Sequence, residues 1–206
     1  DGATHHGFFD LAFMRNIPGM ITAAPMDEVE LRNMMYTAQL DETKLPFVIR
    51  YPRGQGVMPE WRTPMQRIEI GKGCMIKDGE DVAILTIGHP GNFAVEACKK
   101  LAAEGVNPAH YDMRFAKPLD ADLFLRLARE HECLITVEEG AMGGFGAFVL
   151  QLLSDKGALD AGLKIRTLCL PDVFQDQDNP LAMYATAGLN ADHIAAAALQ
   201  ALGVEA

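Results

Sequence analysis

The chain has no apolar run close to the roughly 20 residues that span a bilayer, no CxxC pair, no glycine-rich nucleotide fingerprint and a shortage of positive charge. The first absence predicts no membrane segment. The last argues against nucleic acid as a partner: 18 Lys and Arg against 28 Asp and Glu give a net charge of −10, whereas a nucleic-acid footprint needs clustered cations. An acidic protein can still hold a small anionic substrate with a few placed arginines. The four cysteines, Cys74, Cys98, Cys133 and Cys169, are far apart and sit in apolar or helical runs. Buried free thiols are therefore expected rather than a disulfide framework or a zinc site, in keeping with a reducing cytoplasm. His89, His110, His131 and His193 show no metal-ligand spacing and are taken as structural or surface residues. No GxGxxG or Walker motif and no internal repeat is present.

What is there is the alternation of an α/β protein, with 49% hydrophobic and 22% charged residues over 206 positions. Phe8 to Arg15 reads as a short helix and Met20 to Ala24 as a short buried strand. Asp27 caps a helix whose Glu30 completes a capping-box pattern, with Val29, Leu31, Met34, Met35 and Ala38 as its apolar positions. Pro46 to Tyr51 is a second strand, so a parallel βαβ unit is predicted. Residues 55–66 look like a linker. Arg67 to Ile76 alternates as strands around Gly71 and Gly73, and Val82–Ile87 is apolar throughout, as a strand buried on both faces must be. Helices through Leu101, over Ala121–Arg129, Phe145–Leu153 and Ala191–Leu202 alternate with strands near Ala109–Met113, Leu134–Val137 and Ile165–Leu170.

Three places carry candidate chemistry. Asp1-Gly2-Ala3-Thr4-His5-His6-Gly7 puts a carboxylate four residues from an imidazole in a glycine-bracketed loop. Such a pair can exchange protons near neutral pH, or His5 can be an exposed loop residue; His6 is the weaker candidate, fit for packing or solvent. Because this cluster stands at residue 1, the chain is expected to begin within a domain, with an apolar face left for a partner. Arg50-Tyr51-Pro52-Arg53-Gly54 follows an apolar strand, and an arginine there, Arg53 above all, can take a phosphate or make an ordinary ion pair. Glu138-Glu139-Gly140 precedes the turn Gly143-Gly144-Phe145-Gly146. Paired carboxylates can do acid/base work if one is desolvated, and a helix N-terminus there could hold an anion, but two adjacent carboxylates oppose one, so close backbone packing is expected.

In sequence order, DGATHHGFFDL (1–11), RNIPGM (15–20), APMDE (24–28), RYPRG (50–54), IGKG (70–73), DMRFAKPLD (112–120), TVEE (136–139) and LPD (170–172) together resemble the 1-deoxy-D-xylulose-5-phosphate synthase family, thiamine-diphosphate enzymes related to transketolase. Transketolases and the β subunits of 2-oxo-acid dehydrogenases share the architecture; the continuation Gly7 to Leu11 together with RYPRG favours the synthases. Ala3 departs from the family's usual proline and loosens the loop without removing a functional group. The resemblance implies an α/β chain: the second half of a pyrimidine-binding domain (residues 1–58), a linker (59–66) and a transketolase C-terminal domain (67–206). It implies His5 and Asp1 as active-site residues that bind substrate hydroxyls and assist proton transfer, and Arg53 as the group binding the phosphate of D-glyceraldehyde 3-phosphate. The family condenses pyruvate, with loss of CO2, with that aldehyde; the product feeds isoprenoid, thiamine and pyridoxal synthesis. Thiamine diphosphate and Mg2+ are implied cofactors most of whose ligands lie outside this chain, and the implied partners are the N-terminal remainder of the enzyme and a second copy in a homodimer. A non-catalytic assembly fragment is the competing expectation.

Overall fold

The computed structural model describes residues 2–204. The elements run α1 (Asp10–Met14), β1 (Ile21–Ala23), α2 (Glu28–Ala38), β2 (Phe47–Ile49), β3 (Cys74–Lys77), β4 (Val82–Ile87), α3 (Pro90–Ala103), β5 (Pro108–Asp112), β6 (Phe115–Lys117), α4 (Ala121–Glu130), β7 (Cys133–Glu138), α5 (Phe145–Asp155), β8 (Lys164–Leu168), α6 (Pro180–Thr186) and α7 (Ala191–Leu202).

The larger sheet has the order β3-β5-β4-β7-β8, parallel except for the edge strand β3. Its central strand shows why the run 82–87 has no polar alternation. Val82 and Ile84 pack with α3 and α7 on one face, while Ala83, Leu85 and Ile87 pack with α4 and α5 on the other. Every residue of β4 is buried, so each side chain loses water whichever way it points. The smaller sheet, β2-β1-β6, joins β1 and β2 in parallel through α2 and adds β6 antiparallel to β1. β6 comes from the C-terminal segment, so one strand of that segment hydrogen-bonds into the N-terminal sheet.

Several elements depart from the sequence reading. Asp27 does cap α2, accepting from the Glu30 N–H at 2.9 Å. The Glu30 carboxylate, however, takes the Arg114 guanidinium in two 2.8 Å hydrogen bonds, where a capping box would send it back to the Asp27 backbone. Met35 is exposed on α2, and Asn33 and Thr37 are buried beside Met34. Their side chains accept the backbone N–H groups of Gln66 and Ile68 at 2.8 and 2.9 Å. A helix thus satisfies backbone donors that a strand partner would otherwise take, and the predicted strands over 67–76 shrink to Cys74–Lys77. β6 and α6 were not anticipated; both are short. All four cysteines are free, Cys98 and Cys133 buried and the other two partly so. No helix among the described residues is long and apolar enough to cross a membrane.

Candidate active site

In an open parallel sheet the crossover helices change face where the strand order reverses, and the loops at the strand C-termini part to leave a crevice. Here α3 leaves β4 on one face and α4 enters β7 on the other, so the crevice opens beyond Ile87 and Glu138. The C-terminal end of β2 meets it from the smaller sheet. The resulting cleft of about 920 Å3 is lined by His5, Arg50, Arg53, His89, Glu139 and Gln175, among others.

His5 closes a single 3-10 turn, Ala3–His5, and is exposed, with Nδ1 2.9 Å from Thr4 Oγ1. Asp1 lies outside the described residues. His6 packs its ring on Phe8 at 4.6 Å and faces Phe174 at 6.2 Å. Both its ring nitrogens are buried without a hydrogen-bond partner among the described residues, so of the two expected states, packing and solvent, His6 takes the packed one. Arg53 is on the exposed stretch after β2 and lines the cleft with His5. The structure therefore brings the two candidate loops, four dozen residues apart in sequence, to one crevice.

The floor is a cluster that sequence reasoning did not assemble. The Arg50 side chain, 12% exposed, pairs with Asp10 at 3.5 Å and Glu139 at 3.4 Å. Tyr184 donates its hydroxyl to the same Glu139 oxygen at 2.6 Å. Burial raises the Asp10 carboxyl above its ordinary range; Arg50 opposes the rise and Glu139 adds to it. Burial also pushes the Tyr184 phenol up, and the adjacent Glu139 charge works the same way.

Adjacent residues at a strand end point to opposite sides, and that separates Glu138 from Glu139. Glu138, 2% exposed, accepts the Phe145 and Gly146 N–H groups at 2.8 Å each. The anion at the N-terminus of α5 is thus the chain's own carboxylate. A Cβ at Gly140 or Gly144 would run into that carboxylate, which is why the turn is glycine-rich. The expected close packing is found, with Glu138 as its centre.

His89 corrects the sequence reading: it lies in the cleft wall, half-buried, its ring 5.6 Å from Tyr184 and 5.5 Å from Phe93. Burial lowers its pKa, with Glu139 and Glu28 opposing. The sequence signal was available, since His89 follows Gly88 at the end of the most buried strand, the same position that singled out Arg53. His110 is internal, 2.9 Å from Thr86 Oγ1 and lowered to about 4 by burial. His131 sits between the Leu127 and Gly79 carbonyls at 3.2 and 3.1 Å, and His193 is exposed. Among the described residues no group of three or more His, Cys, Asp or Glu side chains could hold a metal ion.

Against known families, residues 71–194 match the transketolase C-terminal domain and residues 1–57 the transketolase pyrimidine-binding domain. The chain belongs to the transketolase family. Within it, the chain is 48% identical over 196 residues to 1-deoxy-D-xylulose-5-phosphate synthase of Cytophaga hutchinsonii, a match covering 95% of this chain and 30% of that protein. The resemblance read from the motifs is borne out, and the chain spans under a third of that relative's length. Among solved structures it is similar to a chain described as "Split gene transketolase, inactive beta4 tetramer", with TM-score 0.83 and 33% identity over 99% of this chain and 64% of the other.

Proposed function

We propose that this chain is the C-terminal part of a 1-deoxy-D-xylulose-5-phosphate synthase and supplies the acceptor side of its active site. The observation that carries the reading is the single cleft that joins the His5 loop to the Arg53 loop. The identity to the Cytophaga enzyme supports the substrate pair, pyruvate and D-glyceraldehyde 3-phosphate.

In this reading Arg53 pairs with the phosphate of the aldehyde, where a planar guanidinium can make two parallel hydrogen bonds. That contact holds the aldehyde carbon in reach of the donor and keeps the acceptor from tumbling. His5, with Asp1, exchanges a proton with the carbonyl oxygen of the acceptor as that oxygen becomes a hydroxyl. Glu138 carries no step, because both its oxygens are engaged by backbone N–H groups. Thiamine diphosphate, when bound, supplies the electron sink that lets pyruvate lose CO2. The match of residues 1–57 to the pyrimidine-binding domain supports a part of the pyrimidine site here; the cofactor's diphosphate and Mg2+ call for a donor set that the described residues do not assemble, and in this reading belong to the N-terminal remainder of the enzyme. A homodimer and a cytoplasmic setting complete the proposal.

Two results are expected. The isolated 206-residue chain shows no heat of thiamine diphosphate binding in calorimetry with Mg2+ present, in line with the inactive state ascribed to the solved split-gene transketolase chain; measurable binding would refute the fragment reading. In the full-length enzyme, Arg53→Ala raises KM for glyceraldehyde 3-phosphate about thirtyfold or more, the loss of a charge-assisted pair. An unchanged KM removes the phosphate assignment.

A further inference from the structure

The stretch from Arg50 to Met58 has no helix or strand of its own, so the position of Arg53 depends on how the stretch is tied at its ends. The far end is fixed by Glu28, which accepts the Met58 N–H at 3.0 Å and lies so close to Gly56 that a Cβ there would clash with it. The near end begins where the Arg50 N–H bonds the Ala23 carbonyl at 2.9 Å. From there Arg53 is three residues on, at most about 10 Å of chain, and Pro52 stiffens the span.

What holds Arg50 comes from two distant parts of the chain. Asp10, on the helix that follows the His5 turn, flanks the guanidinium on one side and Glu139, at the end of β7, on the other. Glu139 Oε2 receives both Arg50 Nη1 and the Tyr184 hydroxyl. The phenol therefore fixes the carboxylate that fixes the guanidinium. Tyr184 is itself seated by aromatic contacts to Phe93 at 4.9 Å and His89 at 5.6 Å. Two carboxylates share one cation, so loss of either leaves a buried guanidinium with half its counter-charge and room to turn.

We propose that Asp10, Arg50, Glu139 and Tyr184 form a positioning clasp that holds the Arg53 loop over the cleft. Glu139 and Tyr184, which belong to the C-terminal domain, thereby set how tightly the phosphorylated acceptor is bound. The inference rests on the reading of Arg53 as phosphate anchor. It assigns the four residues no contact with the reacting atoms: they act through Arg53. A purely structural role would lower stability and reduce turnover on every substrate alike, whereas a clasp acts on phosphate binding alone.

The test is Tyr184→Phe in the full-length enzyme, a change that keeps the ring and its aromatic contacts and removes only the hydroxyl. Steady-state kinetics with pyruvate are run against glyceraldehyde 3-phosphate and against unphosphorylated glyceraldehyde, in the parent and Arg53→Ala backgrounds. KM for glyceraldehyde 3-phosphate is expected to rise about fivefold, with kcat within about twofold, the effect of one hydrogen bond to a charged group felt at one remove. The kinetics of glyceraldehyde stay unchanged, and in the Arg53→Ala background the substitution adds nothing. Calorimetric binding of glyceraldehyde 3-phosphate to the cofactor-free enzyme weakens by the same factor, and Glu139→Gln repeats the pattern. Equal losses on both aldehydes, or additivity with Arg53→Ala, overturn the clasp. If Arg53→Ala raises KM and Tyr184→Phe does not, the clasp falls and the phosphate anchor stands. If Arg53→Ala itself has no effect, both fall.

Discussion

Replacing His5 with alanine in the full-length enzyme is expected to lower kcat about a hundredfold or more, the usual worth of a placed proton-transfer group, with KM for pyruvate within about twofold. The argument is positional. His5 closes a single turn at the rim of the cleft that also holds Arg53, and Thr4 Oγ1 holds its Nδ1 at 2.9 Å. In the proposed reading this contact orients the ring and leaves Nε2 to exchange the proton. His5→Gln keeps a hydrogen-bonding side chain of similar reach but cannot carry a proton in the same way, so it should restore acceptor binding and leave turnover depressed. Rapid-quench measurement of product in a single turnover separates the step from product release. A His5→Ala enzyme with normal turnover would end the catalytic assignment. Recovery of full rate by His5→Gln would recast His5 as a binding residue.

Where one rule of physical chemistry acted alone, the sequence was easy to read. β4 is buried at all six positions and apolar at five because helices cover both faces; the sixth, Thr86, pairs its hydroxyl with His110. α7 matched residue for residue, since Asn190 caps its start by accepting from the His193 N–H, and Gly203, at φ 75°, ends it. Where side chains had two duties, local pattern misled. Asn33 and Thr37 are buried on α2 because they serve the backbone of Gln66 and Ile68, a need created by residues 33 and 31 positions further on. Glu138 and Glu139 are identical in sequence context, yet one is locked under the N-terminus of α5 and the other faces the cleft. Strand alternation at the end of β7 would have separated them. The Asp10–Arg50–Glu139–Tyr184 cluster could not be read at all. Its members are spread from residue 10 to residue 184, and only the meeting of the chain beyond β2 with the chain beyond β7 at the cleft makes them neighbours. Arg53 stood out because it follows an apolar strand, and His5 because of its spacing from Asp1 in a glycine-bracketed loop; the structure places both on one cleft.

A pH dependence of stability is expected where α2 meets β5 and β6. Asp112, at the end of β5, is 1% exposed, and burial pushes its carboxyl up to about 7; Glu30 and Asp27 add to the rise, while the Arg114 N–H and guanidinium oppose it. Arg114 sits at φ 59°, a left-handed conformation that costs a non-glycine residue energy. It is held there by the Asp112 Oδ1 acceptor at 3.0 Å and by its two bonds to Glu30. An unfolded aspartate titrates near 3.9, so the folded state binds the proton more tightly. The stability from that proton is fully present below about pH 4 and is lost as pH rises through about 7, at most about 4 kcal/mol. Asp112→Asn removes the titration while its Oδ1 still accepts from Arg114. Denaturant midpoints should coincide for parent and variant near pH 4. Above pH 7 the variant should be the more stable by about 1 to 3 kcal/mol, because the parent there buries either a costly charge or a proton taken up against the solution. Parallel curves from pH 4 to 8 would show that Asp112 does not titrate in this range. A crossing with the parent more stable at high pH would mean that the Arg114 and Glu30 charges favour an ionised Asp112. The cluster joins α2 to the β5–β6 corner, and α2 lies between β1 and β2.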